Sequence, residues 1–419
     1  MSMEGYLNLK LEAVVIPTSN LDKSKDLNLP DAKKIVSSMP AGLSDSPFNE
    51  TVVQFCQQLS DSLLNNKIYR QHGELVALGF WLRKSHIGIL KKHFYSGKNI
   101  YRPRGVAFHI TPSNVDVMFV YSWVLSLLVG NKNIVRLSSK KIYVQNLLVD
   151  IINTLLFLPQ FKTIKNNNYF VSYPYDSKIT EYFSSVCDIR VIWGGDETIK
   201  QIRKYEIQAS AREIVFSDRF SFALIAADAV INSNNINRLI NDFNKDVYTY
   251  TQQACSSPRL IAWLGNKQAI SKAKRRFWSE FSQDEKLSEI ITASELFDKM
   301  VIAQYLAANG HHIDLSLSPY MYRIELDYFN EVIQKLHGGN GLIYEISINK
   351  LEELEKISNK YFQTCSYFGV KPEKIEQLII NGQLNDIFRF VPIGRALEFD
   401  HIWDGMDLLQ EFSRIVRVE

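Results

Sequence analysis

The sequence predicts an α/β fold with largely parallel sheets. Three observations carry that expectation: short apolar, β-branched segments alternate with helical patterns from about residue 100; the segments are bounded by turn formers or charges; and 46% hydrophobic with 12% aromatic residues over 419 positions is ample for a packed core. The expected strands are Gly105–Thr111, Asn133–Leu137, Tyr169–Tyr173, Asp188–Trp193, Phe220–Ala226, Arg259–Leu264, Met321–Leu326 and Leu342–Ile346. Helical periodicity falls at Val117–Val129, Ile142–Leu156, Glu197–Tyr205, Ile236–Tyr250 and Ser288–Ala308.

Residues 1–45 carry Ser, Pro and Asp clusters and read as an extended or loosely packed N-terminal arm. A break near residue 218 is expected, because a second strand–helix series starts there with SFALIAADA. This gives a cofactor-binding domain at 46–218, a catalytic domain at 219–388 and a C-terminal segment at 389–419, with a cleft expected between the two lobes.

Charge and composition narrow the function classes. Lys and Arg total 48 against 45 acidic residues, and the +3 balance is spread along the chain, so neither nucleic acid nor an anionic membrane is indicated. The longest charge-free stretch, Val117 to Asn131, is shorter than the ~20 residues a spanning helix needs and reads as a buried helix. The N-terminus shows no basic leader followed by an apolar run, and cytoplasmic residence is expected. The four cysteines, Cys56, Cys187, Cys255 and Cys365, lie far apart without CxxC pairs or nearby His, which indicates free thiols and no metal site.

Four segments can carry chemistry. In RPRGVAFHITPSNVDV a strand ends in a turn holding Thr111, Pro112 and Asn114, at the carboxyl edge where open α/β sheets bind ligands; such an Asn equally suits a turn or a helix cap. In NIVRLSSK a strand runs into Ser138 and Ser139 between Arg136 and Lys140, a set that could hold a phosphate or form a solvated strand end. In WGGDE, Gly194 and Gly195 permit close backbone approach to a ligand, or an ordinary turn. GGNG at 338–341 lacks dinucleotide-fingerprint spacing.

The fourth segment is YTQQACSSPRLIAWL. Cys255 lies at a junction between a helix and a strand, where a thiol can be exposed and become a nucleophile if nearby cations depress its pKa. Cys56 and Cys187 sit in amphipathic or apolar periods and read as core, with Cys365 the weaker rival. His109, His311 and His312 fit no catalytic pattern and read as structural.

Taken in order, PRGVAFHITPSN, a helix, GNKNIVRLSSK, IRVIWGGDE, FSDRFSFALI and QQACSSPR resemble successive landmarks of the aldehyde-dehydrogenase superfamily. They resemble its acyl-CoA reductase branch, the LuxC-type fatty acid reductases, most closely, and RFVPIGRALEFDHIWDGMDLLQEFSRIV at 389–416 is similar to the ending of that branch. The resemblance implies an aldehyde-dehydrogenase-like fold, a Rossmann-like cofactor domain joined to an α/β catalytic domain. It implies Cys255 as the nucleophile that accepts an acyl group, and Asn114 as donor to the thioester oxygen with the Cys255 backbone N–H.

Where the superfamily carries a ribose-binding glutamate, this chain has Arg136, Leu137, Ser138 and Ser139. The lost carboxylate beside two cations points to NADP, used as NADPH, with NAD as the alternative. The glutamate that activates water in oxidising members aligns with Val215, although Glu213 lies two positions away; a missing base favours reduction over oxidation. Ser217, Asp218 and Arg219 depart from the Gly-Pro-Lys of the branch.

The expected activity is therefore NADPH-dependent reduction of an acyl thioester, from acyl-CoA or a partner, to an aldehyde. The alternatives are an oxidising aldehyde dehydrogenase and a non-catalytic subunit of an acyl-activating complex. The resemblance further implies a homo-oligomer and an acyl-protein synthetase partner.

Overall fold

The computed structural model describes residues 27–42, 46–112, 114–138, 143–174, 177–281, 292–318 and 321–419. The chain divides into two compact units, residues 1–217 with 406–419, and residues 218–405.

In the first unit, Ile100–Pro103 (β1) pairs antiparallel with Ser413–Val416, which ties the end of the chain into this unit. The following strands are Val106–Ile110 (β2), Lys132–Arg136 (β3), Asn168–Val171 (β4), Ile189–Trp193 (β5) and Arg212–Phe216 (β6). They form one parallel sheet in the order β4-β3-β2-β5-β6. The strands read as near-continuous apolar runs because both faces are covered. One covering helix, Met118–Leu128, is buried along its whole length. Its polar Ser122 is satisfied within the core by hydrogen bonds to His109 Nδ1 at 2.8 Å and from Trp193 Nε1 at 3.1 Å. Among the described residues no single helix is long and apolar enough to cross a membrane.

Residues 29–38 differ from the expected loose arm. Leu29–Ser38 is a helix, capped by the Asn28 side chain on the Asp31 N–H and started by Pro30. Ala32 and Ile35 enter the same core as Phe108, Tyr169 and Phe183. Residues 1–26 lie outside the described part.

The second unit holds a seven-stranded sheet. Its strands are Phe220–Ala226 (β7), Pro258–Leu264 (β8), His312–Ser318 (β9), Met321–Glu325 (β10), Leu342–Ile348 (β11), Phe362–Phe368 (β12) and Arg389–Pro392 (β13), in the order β13-β12-β7-β8-β11-β10-β9. All neighbours are parallel except β9 and β10. Apolar cores cover both faces. One is built on Phe222, Leu260, Tyr344 and Phe362, the other on Ile225, Trp263, Phe243 and Phe277.

Candidate active site

Two places gather the residues singled out by the sequence, one in each unit. In the first unit, the chain leaves β2 to one side through β3 and β4, then crosses to the other side through β5 and β6. The strand order therefore reverses between β2 and β5, and the carboxyl ends flanking such a switch point form a ligand-binding crevice. Thr111, Pro112 and Asn114 follow β2, Gly194 and Gly195 follow β5, and Arg136 ends neighbouring β3 with Ser138 two residues on.

Local contacts fix this edge. The Thr111 hydroxyl donates to the Arg136 carbonyl at 2.7 Å, which ties the ends of β2 and β3 together. The Arg136 guanidinium lies 4.8 Å over the Tyr173 ring. At Gly194 a Cβ would come within 3.1 Å of the Thr198 methyl, a tight contact to which that side chain would have to yield. Asn114 is exposed, and Ser139 and Lys140 lie outside the described residues. Arg136, Leu137 and Ser138 bring no carboxylate to the end of β3, and an arginine there fits a phosphate-bearing nucleotide.

Two titratable groups near this sheet are committed elsewhere. His109 donates through Nε2 to Asn133 Oδ1 at 3.0 Å and accepts at Nδ1 from the Ser122 hydroxyl. Burial pushes it down to about 4, so it stays neutral. Glu213, on β6, pairs with Arg190 and, at 2.7 Å, with Arg203. Burial alone would raise its carboxyl, but hydrogen bonds and charge from Arg203 and Arg190 outweigh burial and hold it below the ordinary carboxylate value. Val215 is half-buried against the core of this unit.

In the second unit, Cys255 lies in the turn between the helix Ile236–Tyr248 and β8. Of four free cysteines it is the one that is not fully buried. Cys365 is fully enclosed in β12, and burial raises its thiol well above the ordinary value.

The sequence ahead of Cys255 departs from helical geometry within two residues. Thr251 and Gln252 both adopt left-handed backbone, at φ 46° and 62°, which costs free energy for any residue but glycine. The fully buried Gln252 side chain holds them there: Nε2 donates to Pro258 O at 2.8 Å and Leu342 O at 3.0 Å, while Oε1 accepts from the Gly341 N–H at 3.0 Å.

The Gly-Gly-Asn-Gly loop is the other half of this clamp. Gly339 is at φ 78°, and a Cβ there would lie 2.6 Å from Gln253 Nε2, so only glycine fits. The Asn340 N–H donates to Thr251 O at 3.0 Å, and Lys299 holds the Asn340 carbonyl at 3.1 Å. The Ser221 hydroxyl donates to the Cys255 carbonyl at 2.7 Å and accepts from the Thr364 N–H. The thiol therefore sits at the amino edges of β7, β8, β11 and β12, a placement that periodicity alone did not reveal.

Electrostatics at the sulfur differ from the sequence expectation of a depressed pKa. Burial, reinforced by the negative charge of Asp404, pushes the thiol up to about 12; the Gln363 carboxamide and the Arg259 guanidinium oppose that shift. The resting group is a protonated thiol at neutral pH. His337 does not serve as its base: it donates from Nε2 to Leu342 O at 2.6 Å and accepts at Nδ1 from the Gly339 N–H. Arg259, Gln363 and Asp404 were not singled out by sequence reasoning, and Arg259 carried the only signal, as the last residue of QQACSSPR.

The family described as acyl-CoA reductase (LuxC) matches residues 33–287, more than half of the chain. Long-chain acyl-protein thioester reductase 2 of Photobacterium leiognathi is 24% identical over 345 residues, covering 76% of this chain and 64% of that protein. Long-chain acyl-protein thioester reductase of Aliivibrio fischeri is 26% identical over 167 residues, covering 39% of this chain and 33% of that protein. The matches thus span less than two thirds of the length of these relatives.

Among solved structures, the aldehyde dehydrogenase KauB of Pseudomonas aeruginosa superposes with a TM-score of 0.72 at 11% identity, covering 97% of this chain and 96% of the other. The glyceraldehyde-3-phosphate dehydrogenase GapN of Methanocaldococcus jannaschii, complexed with NADP, gives 0.67 at 14% identity over 98% and 99%. These likenesses establish an aldehyde-dehydrogenase-like fold, and with the family match over residues 33–287 the chain belongs to the acyl-CoA reductase (LuxC) family.

Proposed function

We propose that this protein reduces an acyl thioester to an aldehyde through a covalent acyl group on Cys255. The observation that carries the reading is Cys255 itself: the one cysteine of four that keeps some exposure as a residue, held in a strained and anchored turn, in a chain of the acyl-CoA reductase family. Strain of this kind persists only where surrounding contacts impose it, and it clusters at functional sites.

The ionised Cys255 sulfur attacks the acyl carbonyl carbon; a new C–S bond forms, the bond to the donor thiol breaks, and that thiol leaves with the proton. When bound, the reduced nicotinamide supplies hydride to the carbonyl carbon of the acyl-enzyme. Collapse of the resulting thiohemiacetal releases aldehyde and returns the Cys255 sulfur. Donors to the carbonyl oxygen are assigned to the Cys255 N–H and, by family resemblance, to Asn114. Loss of one such donor costs ~3 kcal/mol of barrier.

Nucleotide binding is assigned to the carboxyl ends of β2, β3 and β5, through Thr111, Pro112, Arg136, Ser138, Gly194 and Gly195, together with Ser139 and Lys140. The arginine and the missing carboxylate at the end of β3 favour NADPH over NADH. Commitment of Glu213 to Arg190 and Arg203 supports reduction over hydrolysis, because it leaves that carboxylate engaged elsewhere. Long-chain acyl groups, delivered as acyl-CoA or by an acyl-protein synthetase, and a homo-oligomeric cytoplasmic enzyme belong to the same reading.

Intact mass after mixing with a series of acyl-CoAs tests it. Wild type is expected to gain one acyl mass, which NADPH discharges as aldehyde, while Cys255→Ala gains none. An adduct that forms equally on Cys255→Ala, or none with any thioester, rules the reading out.

A further inference from the structure

The helix Ala293–Ala308 buries three residues, Lys299, Ala303 and Leu306, which fall at i, i+4 and i+7 on one stripe. A lysine therefore holds a position that an apolar side chain would fill, and it is 1% exposed. Lysine is rarely enclosed in this way, because taking an ammonium out of water costs free energy that a methionine at the same place would not. Burial accordingly lowers Lys299 to about 8. Packing alone does not explain the residue.

Its amine supplies a donor that the neighbouring backbone does not. Nζ donates to Asn340 O at 3.1 Å and lies 4.6 Å over the Tyr322 ring. Asn340 is buried and left-handed at φ 58°. The N–H groups around it are engaged elsewhere: Gly341 N–H with Gln252 Oε1 at 3.0 Å, Leu342 N–H with Gly339 O at 3.1 Å, and Tyr322 N–H with Gly341 O at 2.9 Å.

Asn340 is also the link to the cysteine turn. Its N–H donates to Thr251 O at 3.0 Å, and its side-chain Oδ1 accepts from Gln253 Nε2 at 3.3 Å, so the residues on both sides of Gln252 are held by it. The Gln253 amide also donates to Gly338 O at 3.2 Å. Gly338 in turn packs on the same helix as Lys299, since a Cβ there would lie 2.8 Å from Ile302 Cδ1. The loop 338–341 is thus clasped between that helix and the strained residues that lead into Cys255.

We propose that Lys299 is a positioning residue for Cys255: acting through Asn340, it holds the 338–341 loop against Thr251 and Gln253 and so fixes the turn that presents the thiol. Its bearing on the reaction rests on Cys255 as the nucleophile, while the positioning itself is measured without acyl chemistry.

Amide exchange read by mass spectrometry on the full chain, with thermal melts and steady-state kinetics, tests it. Lys299→Met keeps the length of the side chain and removes the ammonium. Its melting temperature is expected to stay near that of wild type, because relief of the buried charge offsets the lost hydrogen bond. Exchange in peptides covering 250–257 and 338–341 is expected to speed about tenfold, the scale of one such bond, with the other strands of the sheet unchanged. With acyl-CoA and NADPH, kcat should fall about tenfold while KM stays the same, as for a group that orients the nucleophile. Lys299→Arg, which keeps a cationic donor, is expected to retain most of the protection and turnover.

If Lys299→Met does not fold, Lys299→Gln, whose amide ends one bond short of the lysine amine, is read in the same way. Unchanged exchange at 250–257 overturns the inference. So does exchange in Lys299→Arg as fast as in Lys299→Met, or protection lost evenly across the seven-stranded sheet, which would make Lys299 a general support of the fold. An unchanged kcat beside faster exchange overturns its bearing on the reaction. The two claims fail separately: faster exchange at 250–257 in a protein that takes no acyl group from any thioester leaves the positioning and removes the nucleophile, whereas an acyl adduct with unmoved exchange does the reverse.

Discussion

At the scale of single residues, the Cys255 turn shows how a strained backbone is held. Thr251 and Gln252 occupy a region that favours glycine or asparagine, at roughly 1–2 kcal/mol each. The compensation comes from one side chain: Gln252 satisfies the Gly341 N–H and the Pro258 carbonyl, neither of which reaches water. Gln252→Leu keeps the volume and removes both partners, so it is expected to cost about 2–4 kcal/mol in urea denaturation. It should also broaden the alkylation behaviour of Cys255, since the turn loses its anchor. A loss below about 0.5 kcal/mol would show that the turn is held by other contacts.

The same scale shows what the sequence made legible. Cys255 stood out because QQAC lies at a junction between periodic segments, whereas GGNG at 338–341 was noted only for lacking dinucleotide-fingerprint spacing. Their pairing through Gln252 and Gln253 is a long-range hydrogen-bond pattern, which local periodicity does not encode. Gln363 and Asp404 were hidden for the same reason: Gln363 sits in an ordinary strand pattern of β12, and Asp404, in a distant turn, reaches it only through a side-chain hydrogen bond.

At the scale of elements, long apolar strands were read within a residue or two. The Phe220–Ala226 strand is found as expected, and Leu342–Ile348 extends two residues beyond the expected end. Elements built from mixed polar and apolar residues were missed, among them β12 with its FQTCSYF pattern and the helices Glu50–Asn65 and Lys84–Phe94. Their burial is supplied by tertiary packing on one face, and a polar opposite face blurs the signal.

The helix Ile236–Tyr248, which leads into the Cys255 turn, carries a testable titration. Its Asp246 accepts from the Gly394 N–H at 2.7 Å and the Ala396 N–H at 3.0 Å and so fixes the turn after β13. Burial raises the carboxyl to about 7, against the hydrogen bonds that favour its charged form. A group whose folded value is raised stabilises most below its unfolded value and loses that contribution as pH rises through the folded one. The stability of wild type relative to Asp246→Asn is therefore expected to fall as pH rises from roughly 4 to about 7. Thermal melts of both proteins across that range measure it; a difference that is flat or rises with pH would contradict the raised value.

For the whole molecule, two α/β units offer opposite edges of their sheets. The first presents the carboxyl ends of β2, β3 and β5 at a strand-order reversal, while the second places its cysteine at the amino ends of β7, β8, β11 and β12. The proposed function divides the labour between them, with nucleotide binding assigned to the first unit and covalent chemistry to the second. Saturating NADPH should then stabilise the protein by about 2.7 kcal/mol at a hundredfold excess over Kd, and slow amide exchange should centre on residues 111–114, 136–138 and 193–195. Arg136→Gln is expected to weaken NADPH far more than NADH, because a guanidinium in this role pairs with the 2′-phosphate. Equal weakening of both would assign Arg136 to the sheet edge alone, through its stacking on Tyr173. Protection confined to residues 250–257, with nothing at the ends of β2, β3 and β5, would move the nucleotide out of the first unit and take the division of labour with it.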